Sequence, residues 1–333
     1  MIYVRADGNN KIGMGHIMRC MAIAMEVEKQ GEKVTFLLAD AAPVEAIENA
    51  GFSYAVLNTD YENMEEEASI IERYVDAEAK FLVDSYFVTN KYFHMLRKYG
   101  PVFYIDDVAK FDYEVDCVIN GNIYGDRILY KAPLVLGGYQ YAPIKSVFLD
   151  AKDKCKPERI LITTGGSDPY FLTEAIVKEI LKDEVLSNEK IDVVCGKFSE
   201  SYETLMSMTS DKPEICIHKN VAKMWELMQH TKVAVTAGGT TMTELSAMGV
   251  PMVCFSFVDN QDRIVDTFVK DGYTYYGGFY EEKGETLVKE VCVALKELIV
   301  NKDLRKEYAD KLQTLVDGKG SFRIAKAIIE FKR

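Results

Sequence analysis

The hydrophobic and polar positions along the chain follow two alternating periods. Short runs rich in β-branched residues, such as IYVRA and KVTFLL, are followed by longer segments whose apolar residues recur at helical spacing. This alternation is typical of parallel sheets connected by crossover helices. The pattern predicts helices near residues 16–30, 44–49, 64–76 and 91–98. Further strands of the first half are predicted at YAVLN, FLVDS, VFYIDD and DCVIN.

The α/β pattern stops and restarts near the middle of the chain. Residues 150–157 are charged, lack periodicity and end in a proline, as linkers commonly do. Strands are then predicted at RILITTGG, IDVVCG, EICIHKN, KVAVTAGG and PMVCFSF, with helices between them and a helical tail that breaks near residues 318–320. The fold class is therefore α/β, with two Rossmann-like domains at residues 1–149 and 150–333.

Composition and charge narrow the functional classes. A chain of 333 residues is long enough for two cores. The net charge of −12 repels polyanions and argues against a nucleic-acid partner or an anionic membrane. No apolar run approaches the roughly 18 residues that span a bilayer, and we expect a cytoplasmic monomer without membrane insertion. Seven dispersed cysteines without a CxxC pair indicate reduced thiols and not a zinc site.

A glycine pair lies between the first strand and a predicted helix. Gly13 and Gly15 would let a ligand approach the backbone, and the start of the helix attracts anions. Met18 occupies the third glycine position of a dinucleotide fingerprint, which disfavours an NAD site. Asp40, at the end of the second strand, keeps that alternative open.

The first turn of this helix carries a histidine and an arginine. The helix dipole would keep the His16 imidazole neutral, and a neutral imidazole at an anion-binding turn is a suitable general base. The alternative is a histidine that only caps or packs. Arg19 could meet phosphate from the same face, but an ion pair with Asp7 is the favoured interpretation.

The second half contains two similar loops, TTGGSDPYF and VTAGGTTMTEL. Amides and hydroxyls at a helix start suit a pyrophosphate, and a carboxylate one turn later suits ribose hydroxyls. The alternative is that Thr240 caps its helix and Glu244 lies on the helix surface. No acidic cluster has metal-ligand spacing, so neither a metal nor another cofactor is expected. The loop residues are Gly165, Gly166, Ser167, Gly239, Thr240, Thr241 and Glu244.

The segments RADGNNKIGMGHIMRC, TTGGSDP, AGGTTMTEL and DNQ occur in this order across essentially the whole chain. With them the sequence resembles the UDP-sugar hydrolases of pseudaminic acid biosynthesis and the related spore-coat polysaccharide proteins. That family is similar to the glycosyltransferase that makes lipid II. The resemblance implies a GT-B-like arrangement of two Rossmann-like domains with the active site in the interdomain cleft. It also implies release of UDP and a free diacetamido-trideoxyhexose by inverting attack of water at the anomeric carbon.

The resemblance also implies roles for individual residues. His16 resembles the catalytic base, and Glu244 resembles the ribose ligand. Residues 218–222 would offer backbone groups to uracil, with His218 itself a bystander. The implied contacts are Gly13 and Gly15 beneath the phosphates, Gly239, Thr240 and Thr241 at the pyrophosphate, and Tyr86, Asn260 and Gln261 at the sugar.

Other functions remain open at this point. A hydrolysing epimerase of the legionaminic acid route would use a similar site, and a transferase of the lipid II type would replace water by an acceptor. A transferase with a lipid acceptor would be expected to carry an exposed apolar or basic patch, and the sequence indicates none. A non-catalytic nucleotide-sugar sensor would leave His16 without a function.

Overall fold

The computed structural model describes residues 1–9, 11–152, 154–166 and 168–332. The chain forms two compact units, one of residues 1–145 with 318–333 and the other of residues 146–317. The predicted division at 149/150 therefore differs from the structure at its boundary and at the C-terminal end. The C-terminal segment returns to the first unit and does not complete the second.

The first unit contains a parallel sheet of seven strands in the order β3-β2-β1-β4-β5-β6-β7. The chain moves outward from β1 to β3 and then returns to the other side of β1. This reversal brings the carboxyl ends of β1 and β4 together, with Ala6 paired to Asp84. In open α/β sheets, ligands bind at such a point. The strands are β1 (Ile2–Ala6), β2 (Val34–Leu38), β3 (Ser53–Val56), β4 (Lys80–Asp84), β5 (Val102–Ile105), β6 (Cys117–Asn120) and β7 (Leu134–Gly137).

Helices cover both faces of this sheet. On one face, Ile17 and Ile23 of the first helix pack on Val4 and Phe36. On the other face, Phe93 belongs to a second core cluster with Leu37 and Phe81. Strands buried on both sides explain the near-continuous apolar runs in the sequence. The helices of this part of the chain are α1 (Gly15–Lys29), α2 (Val44–Asn49), α3 (Ala68–Ile71) and α4 (Asn90–Leu96).

The second unit repeats this architecture with six parallel strands in the order β10-β9-β8-β11-β12-β13. Its core lies between the sheet and the helices that pack on one face, where Ile176 and Leu295 are buried against Ile162 and Val235. The strands are β8 (Arg159–Thr163), β9 (Ile191–Cys195), β10 (Ile215–Lys219), β11 (Thr231–Ala237), β12 (Met252–Ser256) and β13 (Tyr276–Phe279). The helices are α5 (Val147–Lys152), α6 (Leu172–Ile180), α7 (Tyr202–Met208), α8 (Met224–Met228), α9 (Thr240–Met248), α10 (Asp259–Lys270), α11 (Tyr280–Lys283), α12 (Thr286–Val300) and α13 (Lys302–Leu315).

The last helix, α14 (Gly320–Glu330), packs on α1 in the first unit. Ile324 and Ile328 are fully buried in the same core cluster as Ile23. Lys80, the first residue of β4, donates from Nζ to the carbonyl oxygens of Ile328 at 2.8 Å and Phe331 at 3.2 Å. A cation at the carboxyl end of a helix satisfies its last carbonyl groups.

The predicted fold class is confirmed, but several local predictions were wrong. The edge strands β7 and β13 were not predicted, because both are short and rich in glycine. Residues 64–76 form a 3-10 turn at Met64–Glu67 and the short α3 instead of one long helix. The run of three glutamates at 65–67 predicts a solvated helix face, but Glu67 is fully buried and pairs with Arg5. The predicted linker begins inside α5.

Candidate active site

The loop after β1 brings the predicted base to the edge of the sheet. The side chain of Asn9 accepts the backbone N–H groups of Lys11 at 2.9 Å and Ile12 at 3.1 Å. Gly13 then adopts a left-handed conformation with φ +74°, which favours glycine. A Cβ atom at Gly15 would meet no atom within 4 Å, so the backbone is open at the start of α1.

His16 forms a close pair with a carboxylate of β4. Its Nδ1 atom lies 2.6 Å from Oδ1 of Asp84, and both side chains are buried. An ionised carboxylate only accepts hydrogen bonds, so Nδ1 of the neutral ring carries the proton and Nε2 carries the lone pair. In the part of the chain that the structure describes, Nε2 has no hydrogen-bond partner. The pair is thus arranged to accept a proton at Nε2.

Arg19 keeps this carboxylate ionised. Its Nε and Nη2 atoms each donate to Asp84 at 2.6 Å, one to each carboxylate oxygen. Burial alone would raise the pKa of Asp84, but the Arg19 guanidinium and the His16 ring outweigh burial and hold the pKa well below its usual range. The predicted pairing of Arg19 with Asp7 was wrong, because Asp7 pairs with Arg5.

Asp107 and Tyr86 complete this group of side chains. Arg19 Nη1 donates to Asp107 at 2.9 Å, and the Tyr86 hydroxyl donates to the same carboxylate at 3.0 Å. The Tyr86 ring meets the His16 ring edge-on, with centroids 4.7 Å apart. Asn122, which follows β6, also donates to Asp107, at 2.8 Å. The loops after β1, β4, β5 and β6 therefore converge on one cluster.

Sequence reasoning missed both carboxylates of this cluster. Asp84 and Asp107 were placed at the ends of the predicted strands FLVDS and VFYIDD and were given no role in the site. The available signal was position, since each lies at or just after the end of an apolar parallel strand, where the functional edge of an α/β sheet lies. Asp106 does act as a turn residue and accepts the backbone N–H groups of Val108 and Ala109.

In the second unit, the loop after β8 is open at its two glycines. Gly165 has φ +93°, and neither Gly165 nor Gly166 has an atom within 4 Å of an added Cβ. Asp168 is a structural cap, since its carboxylate accepts the backbone N–H groups of Leu172 at 2.9 Å and Thr173 at 2.8 Å. Ser167, also predicted to bind substrate, lies outside the described residues.

The loop after β11 leads directly into α9. Gly239 is the residue before the helix and has no side chain to cap it, so the alternative interpretation, in which Thr240 caps the helix, does not hold. Thr240 and Thr241 form the first turn of α9, and Glu244 lies one turn later. Thr240 is exposed, whereas Thr241 and Glu244 are half-buried. The backbone N–H groups at such a helix start attract anions. The structure thus places Thr240, Thr241 and Glu244 within the first five residues of α9.

The start of α10 lies beside this loop. A Cβ atom added to Gly238 would come within 2.9 Å of Cβ of Gln261, so glycine is required for this close packing. The side-chain oxygen of Gln261 accepts the backbone N–H of Phe257 at 3.2 Å. Asn260 lies in the same helical turn, and nothing is described of its side chain.

His218 has a structural partner in the second unit. Its Nε2 atom lies 2.8 Å from Oδ1 of Asp192, and Arg159 donates to the other oxygen of this carboxylate at 2.6 Å. Burial would raise the pKa of Asp192, but the hydrogen bonds from His218 and Arg159 lower it below its usual range. The side chain of His218 is therefore held by its contact with a carboxylate of the neighbouring strand β9.

Neither a metal-binding cluster nor a membrane-spanning helix occurs among the described residues. No group of three or more His, Cys, Asp and Glu side chains in the described ranges is arranged to hold a metal ion. Among the same residues, no helix has the length and apolar character needed to cross a membrane.

The two parallel sheets with open glycine loops define a GT-B fold of two Rossmann-like units. Solved structures with this fold align over nearly the whole chain. MurG of Acinetobacter baumannii covers 99% of both chains with 14% identity and a TM-score of 0.67. A UDP-glucosyltransferase of Polygonum tinctorium covers 99% of both chains with 13% identity and a TM-score of 0.70.

Sequence comparisons give similar results. Residues 159–317 match the glycosyltransferase family 28 C-terminal domain. The chain is 28% identical to the spore coat polysaccharide biosynthesis protein SpsG of Bacillus subtilis over 218 residues, which is 63% of either chain. It is 25% identical to the uncharacterized protein MJ1062 of Methanocaldococcus jannaschii over 290 residues, or 81% of this chain and 58% of that protein. The chain thus spans less than two thirds of these relatives. Together the similarities support a relationship to GT-B enzymes that act on nucleotide sugars.

Proposed function

We propose that this protein cleaves the bond between the anomeric carbon and the diphosphate of a UDP-sugar, with His16 as the general base that activates the attacking group. The observation that carries the proposal is the 2.6 Å contact between His16 Nδ1 and Asp84. It fixes the tautomer whose Nε2 can take a proton from water or from a hydroxyl group. As the proton arrives, the ionised Asp84 stabilises the imidazolium that forms.

The second unit supplies the proposed nucleotide site. The amides of Gly239, Thr240 and Thr241 at the start of α9 would bind the diphosphate and stabilise its charge as UDP leaves. Glu244 would accept hydrogen bonds from the ribose hydroxyls, and Asn260 with Gln261 would reach the sugar. The match of residues 159–317 to a glycosyltransferase domain supports a nucleotide-sugar ligand for this unit.

The attacking group has two candidates. The glycosyltransferase family match and the similarity to a processive diacylglycerol β-glucosyltransferase of Bacillus subtilis favour a hydroxyl acceptor, and thus glycosyl transfer. That relative is 25% identical over 152 residues, or 43% of this chain and 36% of the relative. Water is the second candidate. It is supported by the segment RADGNNKIGMGHIMRC around His16, which resembles the UDP-sugar hydrolases of pseudaminic acid biosynthesis.

One experiment tests the function and separates the two candidates. UDP-diacetamido-trideoxyhexoses and common UDP-N-acetylhexosamines are incubated with the protein, with and without saccharide or diacylglycerol acceptors, and UDP release is followed. NMR of the sugar product then distinguishes a free inverted sugar from a glycoside. Rapid release of UDP without an acceptor supports hydrolysis, and release that requires an acceptor supports transfer. No release from any donor under either condition contradicts the proposed function.

A further inference from the structure

The first unit contains a cavity of about 300 Å³ that the proposed reaction does not use. It lies between the loop after β5 and the segment that leads to β7. This volume is at the lower end of the range of small-molecule sites. The residues that determine its chemistry are Phe111, Asp112, Tyr113, Leu129, Tyr130 and Lys131.

The cavity is separate from the cluster around His16. Two consecutive residues after β5 bind different groups, since Asp107 accepts from Arg19 and Asp106 accepts from tyrosines of the cavity. The hydroxyl of Tyr113 donates to Asp106 at 2.8 Å, and that of Tyr130 donates to it at 2.5 Å. The two sites therefore share a loop, but each has its own carboxylate.

The Asp106 carboxylate also orders the loop after β5, which forms one wall of the cavity. Asp106 accepts the backbone N–H of Val108 at 3.1 Å and that of Ala109 at 2.8 Å. These bonds hold Ala109 in the left-handed region with φ +51°, which is costly for a residue other than glycine. Tyr113 is buried behind this wall. The cavity is thus built by specific hydrogen bonds and does not result from loose packing.

The lining combines aromatic rings with a pair of charges. The rings of Phe111 and Tyr113 lie 4.5 Å apart, and Tyr130 lies 6.3 Å from Tyr113. Lys131 and Asp112 form an ion pair of 2.6 Å, and both side chains are mostly exposed. Leu129 is 97% exposed and offers an apolar surface at the cavity.

We propose that this cavity binds one neutral pyranose ring of a saccharide. The C–H face of a pyranose would pack on the rings of Phe111 and Tyr130, while its hydroxyl groups bond to Asp112 and Lys131. Leu129 would be covered by the bound sugar. A purely apolar ligand would displace water from this ion pair without offering hydrogen bonds in return, and the Asp112 carboxylate disfavours a phosphate. The site goes beyond the proposed reaction, because it binds saccharide without breaking a bond.

Saturation-transfer difference NMR tests the site with two probes, methyl β-D-glucopyranoside and methyl N-acetyl-β-D-glucosaminide, each at about 1 mM to 10 mM, the range of weak complexes. We expect saturation transfer to the ring protons of at least one glycoside. Tyr130→Ala, Lys131→Ala and Asp112→Ala should each weaken binding at least threefold. Tyr130→Phe keeps the aromatic ring and should therefore retain binding of the glycoside. Tyr74→Ala removes an exposed tyrosine elsewhere in the unit and is the control.

Circular dichroism and thermal unfolding establish that each variant is folded, and the exposed positions Asp112 and Lys131 keep the test valid if Tyr130→Ala does not fold. The proposal is overturned if neither glycoside receives saturation. It is also overturned if binding is unchanged in both Lys131→Ala and Asp112→Ala, or if phenol binds in the cavity and the glycosides do not.

Discussion

His16 and Asp84 lie 68 residues apart in sequence, and their side chains meet at 2.6 Å. The meeting results from the strand order, because β4 is inserted beside β1 after the chain has passed through β2 and β3. Arg19 lies one helical turn after His16 and binds both oxygens of the same carboxylate. The proposed base, the group that orients it and the cation that keeps that group ionised are thus carried by one helix and one strand.

Replacing the base should separate turnover from nucleotide binding. In His16→Asn, UDP release should fall by on the order of 10²–10⁴, the usual contribution of a positioned general base. UDP affinity and the folded state should change little, because the proposed nucleotide site lies in the second unit. His94→Asn, at an exposed histidine of the same unit, is the control. Turnover of His16→Asn at the level of that control would exclude His16 from the mechanism.

The low pKa of Asp84 predicts how its contribution to stability depends on pH. Because the pKa of the folded state lies below that of the unfolded state, the contribution is complete above the unfolded value, about 3.9. This contribution to stability is lost as the pH falls from the pKa of the unfolded state toward the lower pKa of the folded state. Asp84→Asn should lower the free energy of unfolding by on the order of 3 kcal/mol at neutral pH, since it leaves a buried guanidinium with one charged partner fewer.

Urea denaturation of the wild type and Asp84→Asn between about pH 8 and pH 3 measures this dependence. The difference between the two proteins should be constant above about pH 5 and should shrink below about pH 4. The exposed Asp310→Asn in α13 is the control and should show no such trend. A difference that grew toward low pH would mean that Asp84 is protonated in the native state.

The cluster around His16 shows what could be predicted from sequence. The strands and the glycine loops of Gly13 and Gly15 were predictable because their signals are local, namely apolar runs and glycines before a helix. Asp84 was not, because its partner is set by the order of strands in the sheet. The pairing of Arg19 with Asp7 was predicted from closeness in sequence, whereas Asp7 forms its ion pair with Arg5 of β1.

The short elements were missed for a different reason. β7 and β13 pair only at the edges of their sheets and contain one and two glycines respectively, so propensity gives little signal. Burial of Glu67 also depends on tertiary structure, because its partner Arg5 lies 62 residues earlier in β1. A run of three glutamates is ordinarily solvated. Glu67 is an exception because the Arg5 guanidinium and the hydroxyl groups of Thr59 and Tyr92 all donate to its carboxylate.

Glu244 should contribute to binding of UDP itself. If its carboxylate accepts the ribose hydroxyls, Glu244→Ala should weaken UDP binding by about 1–3 kcal/mol, the cost of leaving such groups unpaired. Isothermal titration calorimetry with UDP measures this, and Glu203→Ala, at an exposed glutamate of α7, is the control. An affinity equal to that of the control would place the ribose elsewhere.

A comparison of alanine variants at Gly13 and Gly15 separates an effect on folding from an effect on substrate binding. Gly13→Ala should destabilise the protein by about 1 kcal/mol, because φ +74° is unfavourable for alanine. The Cβ atom added in Gly15→Ala would meet no protein atom within 4 Å, so the free energy of unfolding should stay unchanged or increase slightly. The added methyl group should nevertheless raise KM for the UDP-sugar if the diphosphate contacts this backbone. An unchanged KM in Gly15→Ala would show that the substrate does not approach Gly15.

The proposed role of His16 predicts which bond breaks. A base that activates a hydroxyl group or water for attack at the anomeric carbon leaves the glycosidic oxygen on UDP, where the amides at the start of α9 stabilise its charge. Attack at phosphorus would leave that oxygen on the sugar. A UDP-sugar labelled with oxygen-18 at the bridging anomeric position distinguishes the two, whether the acceptor is water or a hydroxyl.

We therefore expect the label to appear in UDP, read by mass spectrometry or by the isotope shift of its β-phosphorus signal. The result does not depend on exchange of the free sugar with solvent, because UDP does not exchange its phosphate oxygens under assay conditions. Unlabelled substrate in oxygen-18 water is the control, and it should give unlabelled UDP. Label retained on the sugar, together with solvent oxygen in UDP, would mean attack at phosphorus. It would remove the reason for placing His16 beside the anomeric carbon.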